Sequence, residues 1–258
     1  MSETGGLAVA FSGGVDSSLL LAVAAEVLGG RALAVTADSP TLARAELERA
    51  RRMAAALGVE HVVIESAEMS EPGFAQNPPD RCFICKRHRM EALLALAREK
   101  GYVAVADGEN ADDADEFRPG AKATAELGIL KPLKDAGLTK GEIRELSRRM
   151  GLETAELPSN ACLATRLPYG DEITPERLAR VEAAEGFLHG LGYELVRVRS
   201  HGDVARIEVA AEAVASLSEG ETRAKVSARL RELGFSHVAV DLAGYRMGSM
   251  DDGLRKDG

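Results

Sequence analysis

The amino-acid sequence predicts an α/β fold in which a doubly wound, mainly parallel sheet is followed by a smaller α+β domain. In the first half, short β-rich apolar runs alternate with longer segments whose apolar residues recur at helical spacing. This order is typical of a parallel sheet with crossover helices. A stretch punctuated by Pro and Gly, residues 153–171, separates it from a different pattern of helices and strands. We therefore expect one domain over residues 1–165 and a small α+β domain over residues 166–258.

Local signals place the elements of the first domain. The predicted strands are residues 7–11, 32–36, 61–65 and 102–106, with a shorter one near 129–130. The predicted helices are residues 17–28, 42–57, 85–100 and 139–150. Thr139 stands three residues before Glu142, which is the spacing of a capping box at a helix start.

The second domain begins with a clear helix signal. Thr174 can cap a helix, and Pro175 suits its first position. The elements expected after that helix are strands at 194–199 and 205–209, a long helix to about Leu233 and a strand at 237–242.

Composition limits the class of protein. Hydrophobic residues make up 45% and charged residues 28% of the 258 residues, which suits a folded chain with a sizeable core. The 41 acidic and 32 basic residues give a net charge of −9, and aromatic residues are 4%, so nucleic acid is not an expected partner. Apolar runs stay well below the roughly 18 residues of a membrane span, and no basic leader precedes the first strand. We expect a cytoplasmic protein without a membrane partner.

A glycine-rich segment, SGGVDSS at residues 12–18, lies between the first predicted strand and the first predicted helix. Open α/β sheets bind ligands at this end of their strands. Two adjacent glycines let the backbone approach a phosphate, and amides at a helix amino terminus favour an anion. The alternative is a serine-capped turn. The segment lacks the lysine of the GxxxxGK[ST] nucleotide loop.

This heptapeptide resembles the SGGxDS pyrophosphate loop of the ATP pyrophosphatase superfamily, whose first domain is an adenine nucleotide alpha hydrolase-like PP-loop domain. Those enzymes cleave ATP between the α and β phosphates and adenylate a substrate oxygen. The resemblance implies that Asp16 acts near the pyrophosphate and its Mg²⁺. It also implies that the ATP-binding residues are Ser12, Gly13, Gly14, Asp16, Ser17, Ser18 and, on the adenine side, Asp38.

A second acidic segment, DGENADD at residues 107–113, follows the fourth predicted strand. As a group at the carboxyl end of a strand, its carboxylates are expected to face Mg²⁺-ATP, because hard cations take oxygen ligands. The alternative for each one alone is a solvated loop. Lys131 is a candidate counter-charge.

The three cysteines, Cys82, Cys85 and Cys162, argue against a disulfide framework because their number is odd. Unreactive buried thiols, a redox pair, zinc held with His88, and an iron–sulfur cluster with one open iron all fit the residues. Spacing alone does not choose between them. Arg81, Lys86 and Arg166 stand nearby in sequence and could lower the pKa of a thiol.

Several motifs in order, among them DRCFICKRH, LKPLKDAGLTKGEIRELSRRMGL, PSNACLATRLPYG and RVRSHGDVARIEV, resemble the sulfur transferases of lactate racemase maturation, the LarE family. The resemblance implies a role in making the nickel-pincer nucleotide: adenylation of a carboxylate of pyridinium-3,5-biscarboxylic acid mononucleotide, then its conversion to a thiocarboxylate. Some members sacrifice the sulfur of one cysteine, which corresponds to Cys162. The three-cysteine pattern implies a [4Fe–4S] cluster on Cys82, Cys85 and Cys162, with zinc as the alternative.

Arg197 and Arg199 match the family's substrate-phosphate arginines, and residues i and i+2 of a strand point to the same side. Glu185 and Glu208 match acidic positions near the same site. The partners implied are a nucleotide-like small molecule, sulfide or another sulfur donor, and further copies of the chain in a homo-oligomer, up to a hexamer.

Three other functions compete with this hypothesis. A tRNA thiolase shares the loop and often a CxxC pair, but the acidic charge and the few aromatic residues argue against it. Ammonia-using ligases of the superfamily explain neither the CxxC pair nor Cys162. A non-catalytic ATP sensor would bind ATP without releasing pyrophosphate.

Overall fold

The computed structural model describes residues 5–114, 119–158, 161–246 and 248–250. These residues divide into two compact units. One unit holds the described residues up to Phe74 and those from Pro78 to 158, and the other holds Ala75–Asn77 and those from Ala161 onward. The assignment of ATP chemistry to residues 1–165, and of substrate binding and oligomerisation to residues 166–258, stays a prediction.

Four strands of the first unit's described residues form a parallel sheet. They are β1 (Leu7–Ala10), β2 (Ala32–Asp38), β3 (Glu60–Glu65) and β4 (Ala104–Ala106), in the spatial order β3-β2-β1-β4. Each neighbouring pair is parallel. The short strand expected near residues 129–130 is an isolated parallel bridge between Leu130 and Ala106.

Helices cover both faces of this sheet. They are α1 (Val15–Leu28), α2 (Arg44–Ala56), α3 (Pro72–Ala75), α4 (Arg81–Glu99), α5 (Pro119–Glu126), α6 (Pro132–Asp135) and α7 (Lys140–Arg149). Leu7 and Val9 of β1 belong to the apolar cluster formed with α1, α2 and α7. Ala8, between them, belongs to the cluster formed with α4. Alternate residues of one strand therefore serve two cores, and the predicted doubly wound α/β fold is confirmed.

The capping box predicted at the start of α7 is present. The Thr139 side chain accepts a hydrogen bond from the Glu142 amide, and the Glu142 carboxylate accepts one from the Thr139 amide. These bonds satisfy amides that the first turn of a helix would otherwise leave without partners. The start of α7, which lies close to the glycine-rich segment, is thereby fixed.

The second unit is the predicted small α+β unit. Its elements are α8 (Pro175–Gly190), β5 (Val196–His201), β6 (Val204–Val209), α9 (Val214–Ser218), α10 (Gly220–Glu232) and β7 (His237–Val240). The sheet order is β5-β6-β7, with β5 and β6 antiparallel and β6 and β7 parallel. The single long helix predicted before Leu233 is wrong in one respect. Glu219 is extended and Gly220 has a φ of +49°, so the helix is broken into α9 and α10.

The second sheet has one apolar and one charged face. Val196 and Val198 of β5 lie in the core formed with α8 and α10. Arg197 and Arg199 occupy the alternate positions, and Glu208 of β6 is paired with Arg197 in the register. The period of two along a strand thus places the two arginines and Glu208 on one face.

Within the described ranges, every helix is too short or too polar to cross a bilayer.

Candidate functional site

The glycine-rich segment wraps from β1 into the first turn of α1, and Gly13 is its tightest point. The φ of Gly13 is +70°, a conformation that residues with a side chain rarely adopt. A Cβ at Gly13 would lie 3.0 Å from the backbone of Ala50 in α2. Arg49, also in α2, donates from Nε to the Gly13 carbonyl at 3.0 Å. The helix after β2 therefore sets the path of this loop.

Two serines of the segment are hydrogen-bonded to each other, whereas the hydroxyl of a third serine is not. Ser17 Oγ lies 3.2 Å from Ser12 Oγ and donates to the Gly14 carbonyl at 3.2 Å. Ser18 is fully buried, and its Oγ has no hydrogen-bond partner among the residues that the structure describes. Buried hydroxyls normally have a partner, so this atom has an unused capacity to donate or accept a hydrogen bond beside the loop. The first turn of α1 adds its amides and the positive end of its dipole.

Asp16, in the same turn, faces two other segments. Lys140 Nζ, from the first residue of α7, lies 2.5 Å from Asp16 Oδ2. Asn110 Nδ2 donates to Asp16 Oδ1 at 3.3 Å, and the Lys140 amide donates to Asp112 Oδ2 at 2.8 Å. The fold thus brings the SGGVDSS segment, the acidic segment after β4 and the start of α7 to one place.

Gly108 permits this convergence. A Cβ at Gly108 would lie 2.9 Å from the Ser17 amide nitrogen and 3.2 Å from Asp16 Cβ. The contacts are with backbone or first side-chain atoms, which cannot rotate away. The chain after β4 therefore lies so close to the first turn of α1 that only glycine fits at position 108.

Lysines and carboxylates alternate around this point. Glu109 forms ion pairs with Lys131 and Lys134, each at 2.6 Å. Asp107 forms an ion pair with Lys86 at 2.9 Å. Burial opposes ionisation of Glu109, but the two ammonium groups outweigh it and hold the pKa of that carboxyl below its ordinary value. Carboxylates suit a divalent cation, and lysines suit phosphate oxygens. The counter-charge expected of Lys131 is present.

At the end of β2, Asp38 and Ser39 differ in their surroundings. Asp38 is paired with the exposed Arg44 side chain, at 2.5 and 3.0 Å. Ser39 donates at 2.6 Å to Glu68, which is fully buried and also accepts from Arg89 at 2.6 Å. Burial opposes the charge of Glu68, but Arg89 and the hydroxyl donors lower the pKa of its carboxyl. This buried pair fixes the loop after β2.

The cysteines lie in both units. Cys82 and Cys85 occupy the first two turns of α4, one exposed and one partly buried, and Cys162 lies in the second unit just before a short 3₁₀ turn. None of the three forms a disulfide. In the described part of the chain, no three His, Cys, Asp or Glu side chains are grouped as metal ligands. The metal ligands expected from the sequence stay a prediction.

The main chain of the Cys162 loop is anchored by Arg166, a guanidinium that is almost fully buried. Arg166 donates to the carbonyl of Cys162 at 3.2 Å and to that of Ala161 at 2.6 Å. Its other side forms a two-bond pair with Glu185, at 2.9 and 3.0 Å. The Thr165 hydroxyl also donates to the Cys162 carbonyl, at 2.8 Å. Glu185 therefore positions Arg166, which holds the loop.

Arg197 and Arg199 are both buried but have different partners. Arg199 donates to Glu208 from Nε at 2.9 Å and from a terminal nitrogen at 2.7 Å. Arg197 donates to the carbonyl of Val196 at 2.7 Å, and its guanidinium lies 5.3 Å from the centre of the Tyr245 ring. Burial, together with the nearby Arg166, lowers the pKa of Arg197. An anion beside Arg197 would relieve this desolvated charge.

Comparison with known proteins covers both units. The family model of asparagine synthase matches residues 1–114. An uncharacterized protein of Synechocystis sp. is 41% identical over 248 residues, which are 96% of this chain and 92% of the relative. The pyridinium-3,5-bisthiocarboxylic acid mononucleotide synthase of Lactiplantibacillus plantarum is 36% identical over 249 residues, 96% of this chain and 90% of that enzyme. The chain belongs to this synthase family.

The chain is more distantly similar to an enzyme whose name indicates thiolation of tRNA. The tRNA-specific 2-thiouridylase of Rickettsia rickettsii is 27% identical in an alignment of 229 positions that covers 73% of this chain and 62% of that enzyme.

In this member of the synthase family, sequence reasoning missed several residues that shape the candidate site. They are Arg49, Gly108, Lys134, Lys140 and the buried pair of Glu68 and Arg89. One of them left a signal. Lys140 follows a capping threonine directly, and a cation at the first position of a helix opposes the helix dipole.

Replacement of Gly108 by alanine is expected to separate the two segments that meet at Ser17. We expect ATP, the ligand implied by the loop's resemblance, to bind at least tenfold more weakly, because several charged contacts at about 1.5–3 kcal/mol each depend on this spacing. Isothermal titration calorimetry with ATP measures the change. The matched control is Gly186→Ala in α8, where a Cβ meets nothing within 4 Å. Unchanged ATP affinity in Gly108→Ala would contradict the assignment of this convergence as the nucleotide site.

Proposed function

We propose that this protein is an ATP-dependent sulfur transferase that adenylates a carboxylate of pyridinium-3,5-biscarboxylic acid mononucleotide and converts it to a thiocarboxylate, in nickel-pincer nucleotide synthesis. The observation that carries the proposal is the 36% identity to the bisthiocarboxylic acid mononucleotide synthase. This similarity covers 96% of the chain and thus spans both the Ser12–Ser18 loop and the arginines of β5. The charge pattern around Asp16 supports the use of ATP.

The first unit supplies the adenylation step. A substrate carboxylate oxygen attacks the α-phosphorus, the α–β bridging bond breaks, and pyrophosphate leaves with the electron pair. Amides of the Ser12–Ser18 loop and the lysines near Glu109 would stabilise the charge that develops on the pyrophosphate. Asp16, with Asp107 or Glu109, has the oxygen donors that suit Mg²⁺, and the unpartnered Ser18 hydroxyl and the Gly108 contact indicate a cradle built for a ligand. When bound, Mg²⁺ would neutralise phosphate charge.

Thiolation then uses the acyl-adenylate. Hydrosulfide from the sulfur donor adds to the acyl carbon and loses its proton, the bond from that carbon to the AMP oxygen breaks, and the products are a thiocarboxylate and AMP. If the thiol of a sacrificial cysteine attacked instead, the first product would be a thioester, and its Cβ–Sγ bond would have to break to leave the thiocarboxylate and dehydroalanine. Cys162 is the proposed catalytic cysteine, either as a ligand of the group that delivers the sulfur or as the sacrificial thiol. The hydrogen bonds that its carbonyl accepts from Thr165 and Arg166 hold the backbone from which the side chain projects.

A [4Fe–4S] cluster on Cys82, Cys85 and Cys162 is proposed to deliver the sulfur that sulfide or another donor supplies, with zinc as the alternative metal. Cys82 and Cys85 are one turn apart on α4, so one helix offers two thiolates with the spacing common in metal sites. When bound with three ligands, such a cluster would keep one iron open for the delivered sulfur. No step derived above depends on it.

The second unit would hold the substrate phosphate. Arg197 and Arg199 share a face of β5, and both are proposed to bind the substrate phosphate. The two-bond pair of Arg199 with Glu208 also links β5 to β6.

A second candidate function is thiolation of tRNA. It is favoured by the similarity of this chain to the rickettsial 2-thiouridylase, which covers more of the chain than the first unit alone. The net charge of −9 opposes it, since tRNA binding depends on basic phosphate contacts. Product analysis with both substrates decides between them.

The reaction products test the proposal directly. With ATP, Mg²⁺, sulfide and the biscarboxylic acid mononucleotide, we expect AMP and pyrophosphate in equal amounts, as measured by chromatography. Mass spectrometry of the substrate should show one carboxylate oxygen replaced by sulfur. Asp16→Asn should lower the adenylation rate at least tenfold, because its carboxylate positions the metal and the pyrophosphate. The matched control is Asp203→Asn, in the turn between β5 and β6. Formation of ADP and phosphate, or AMP formation with tRNA alone, would contradict the proposal.

Arg197→Ala is expected to weaken binding of the mononucleotide by about 1.5–3 kcal/mol, the range for a hydrogen bond to a charged group, and to leave ATP binding unchanged. Calorimetry with each ligand separates the two effects. Arg223→Ala, an exposed arginine of α10, is the control. Arg199→Ala should also destabilise the protein, because it removes two charged hydrogen bonds from the buried Glu208, which keeps Arg206 and Ser249 as its partners in the described part of the chain. Equal losses of both ligands in Arg197→Ala would refute its role at the phosphate.

The three cysteines are expected to act as a unit. After anaerobic reconstitution, alanine at Cys82, Cys85 or Cys162 should abolish the cluster, as measured by absorption and by iron and sulfide assays. Wild-type protein supplied with sulfide should turn over repeatedly. A sacrificial thiol predicts instead a single turnover, retained in the first two variants, and a mass loss of about 34 Da at Cys162, the H₂S lost on conversion to dehydroalanine. Stoichiometric zinc without iron would support the alternative metal.

A further inference from the structure

Lys140 stands at a position that its own helix does not favour. It is the first residue of α7, whose amino terminus carries a partial positive charge. The capping box of Thr139 and Glu142 already stabilises this helix start, so a cation adds nothing to it. The contact that does explain Lys140 is the ion pair with Asp16, at 2.5 Å.

This ion pair covers the carboxylate that is proposed to meet Mg²⁺. Asp16 Oδ2 faces the Lys140 ammonium, and Asp16 Oδ1 accepts the Asn110 amide at 3.3 Å. A divalent cation that approaches Oδ2 meets a positive charge beside the same oxygen. Because like charges repel at this distance, the metal and the ammonium compete for Asp16.

Glu109 provides a contrast within the same site. Two ammonium groups, those of Lys131 and Lys134, pair with its carboxylate. In the described part of the chain, Lys140 is the cation paired with Asp16. When Lys140 moves away, the Asp16 carboxylate therefore loses its counter-charge and becomes available to a metal ion. The Lys140 side chain is about one quarter exposed, at 27%, and its flexible stem can turn toward a neighbouring anion.

We propose that Lys140 is an exchangeable counter-ion, which holds Asp16 while the site is empty and binds the pyrophosphate group when a divalent cation takes its place. The proposal rests on the proposed function and adds a pyrophosphate-binding residue to it. Because the ammonium lies beside the first turn of α1, a short swing carries it from a carboxylate to the anion that this turn favours. Metal alone then binds weakly, and metal with nucleotide binds well.

Two binding measurements on the nucleotide-free full-length chain test this exchange. Electron paramagnetic resonance follows Mn²⁺ alone, and calorimetry follows inorganic pyrophosphate in the presence of a chelator. Lys140→Met should bind Mn²⁺ about tenfold more tightly, because Asp16 is released, and pyrophosphate about tenfold more weakly, because the ammonium is lost. Lys140→Arg should keep the pyrophosphate affinity. Lys100→Met, which removes a lysine paired with Glu60 on β3, is the control and should change neither affinity.

Asp16→Asn gives an independent test that does not need the lysine variant to fold. Freed from Asp16, Lys140 should bind metal-free pyrophosphate several-fold more tightly, and this gain should vanish in Asp16→Asn with Lys140→Met. The exchange is overturned when Lys140→Met changes both affinities in the same direction or neither, or when Asp16→Asn gives no gain. Both measurements omit substrate and turnover. If the proposed reaction proved wrong, the binding results would still be interpretable. If the binding tests failed, the proposed reaction would still be possible.

Discussion

At Gly108 the chain that follows β4 lies so close to the Ser17 amide that a hydrogen atom is the largest side chain that fits between them. This contact brings the acidic segment after β4 against the first turn of α1. It depends on the parallel order of β1 and β4, whose carboxyl ends lie at the same edge of the sheet. Asp16 and Asn110, which are 94 residues apart in the chain, come within hydrogen-bond distance where these two segments meet.

The protein as a whole is acidic, but the candidate site contains several lysines. The chain carries a net charge of −9, yet lysines gather where an anionic nucleotide would bind. Each of these lysines is paired with a carboxylate of the site. The site is therefore close to neutral when empty, and it offers both a cation-binding and an anion-binding partner from the same ion pairs. Arg199 and Glu208 also form an ion pair in the second unit, but there both side chains are buried.

The sequence predicted those parts of the structure that rest on local patterns. The alternation of strands and helices, the Thr139–Glu142 capping box and the turn before α1 all depend on residues close together in the chain. The break between α9 and α10 was missed because a single glycine within a helical pattern is often tolerated, and Gly220 therefore did not signal a helix end. The partner of Asp16 was missed for a different reason. Lys140 is 124 residues away, and no pattern within the first domain fixes which lysine folds onto which carboxylate.

In the residues that the structure describes around Cys162, the carbonyl groups of the loop are held by the hydroxyl of Thr165 and by a guanidinium that Glu185 keeps in place. None of these bonds uses the sulfur atom. The scaffold is consequently indifferent to the chemical state of the side chain it displays. A thiol, a thiolate, a persulfide or a side chain that has lost its sulfur would all sit on the same backbone, and the anchoring would survive repeated chemistry at that position without any need to refold.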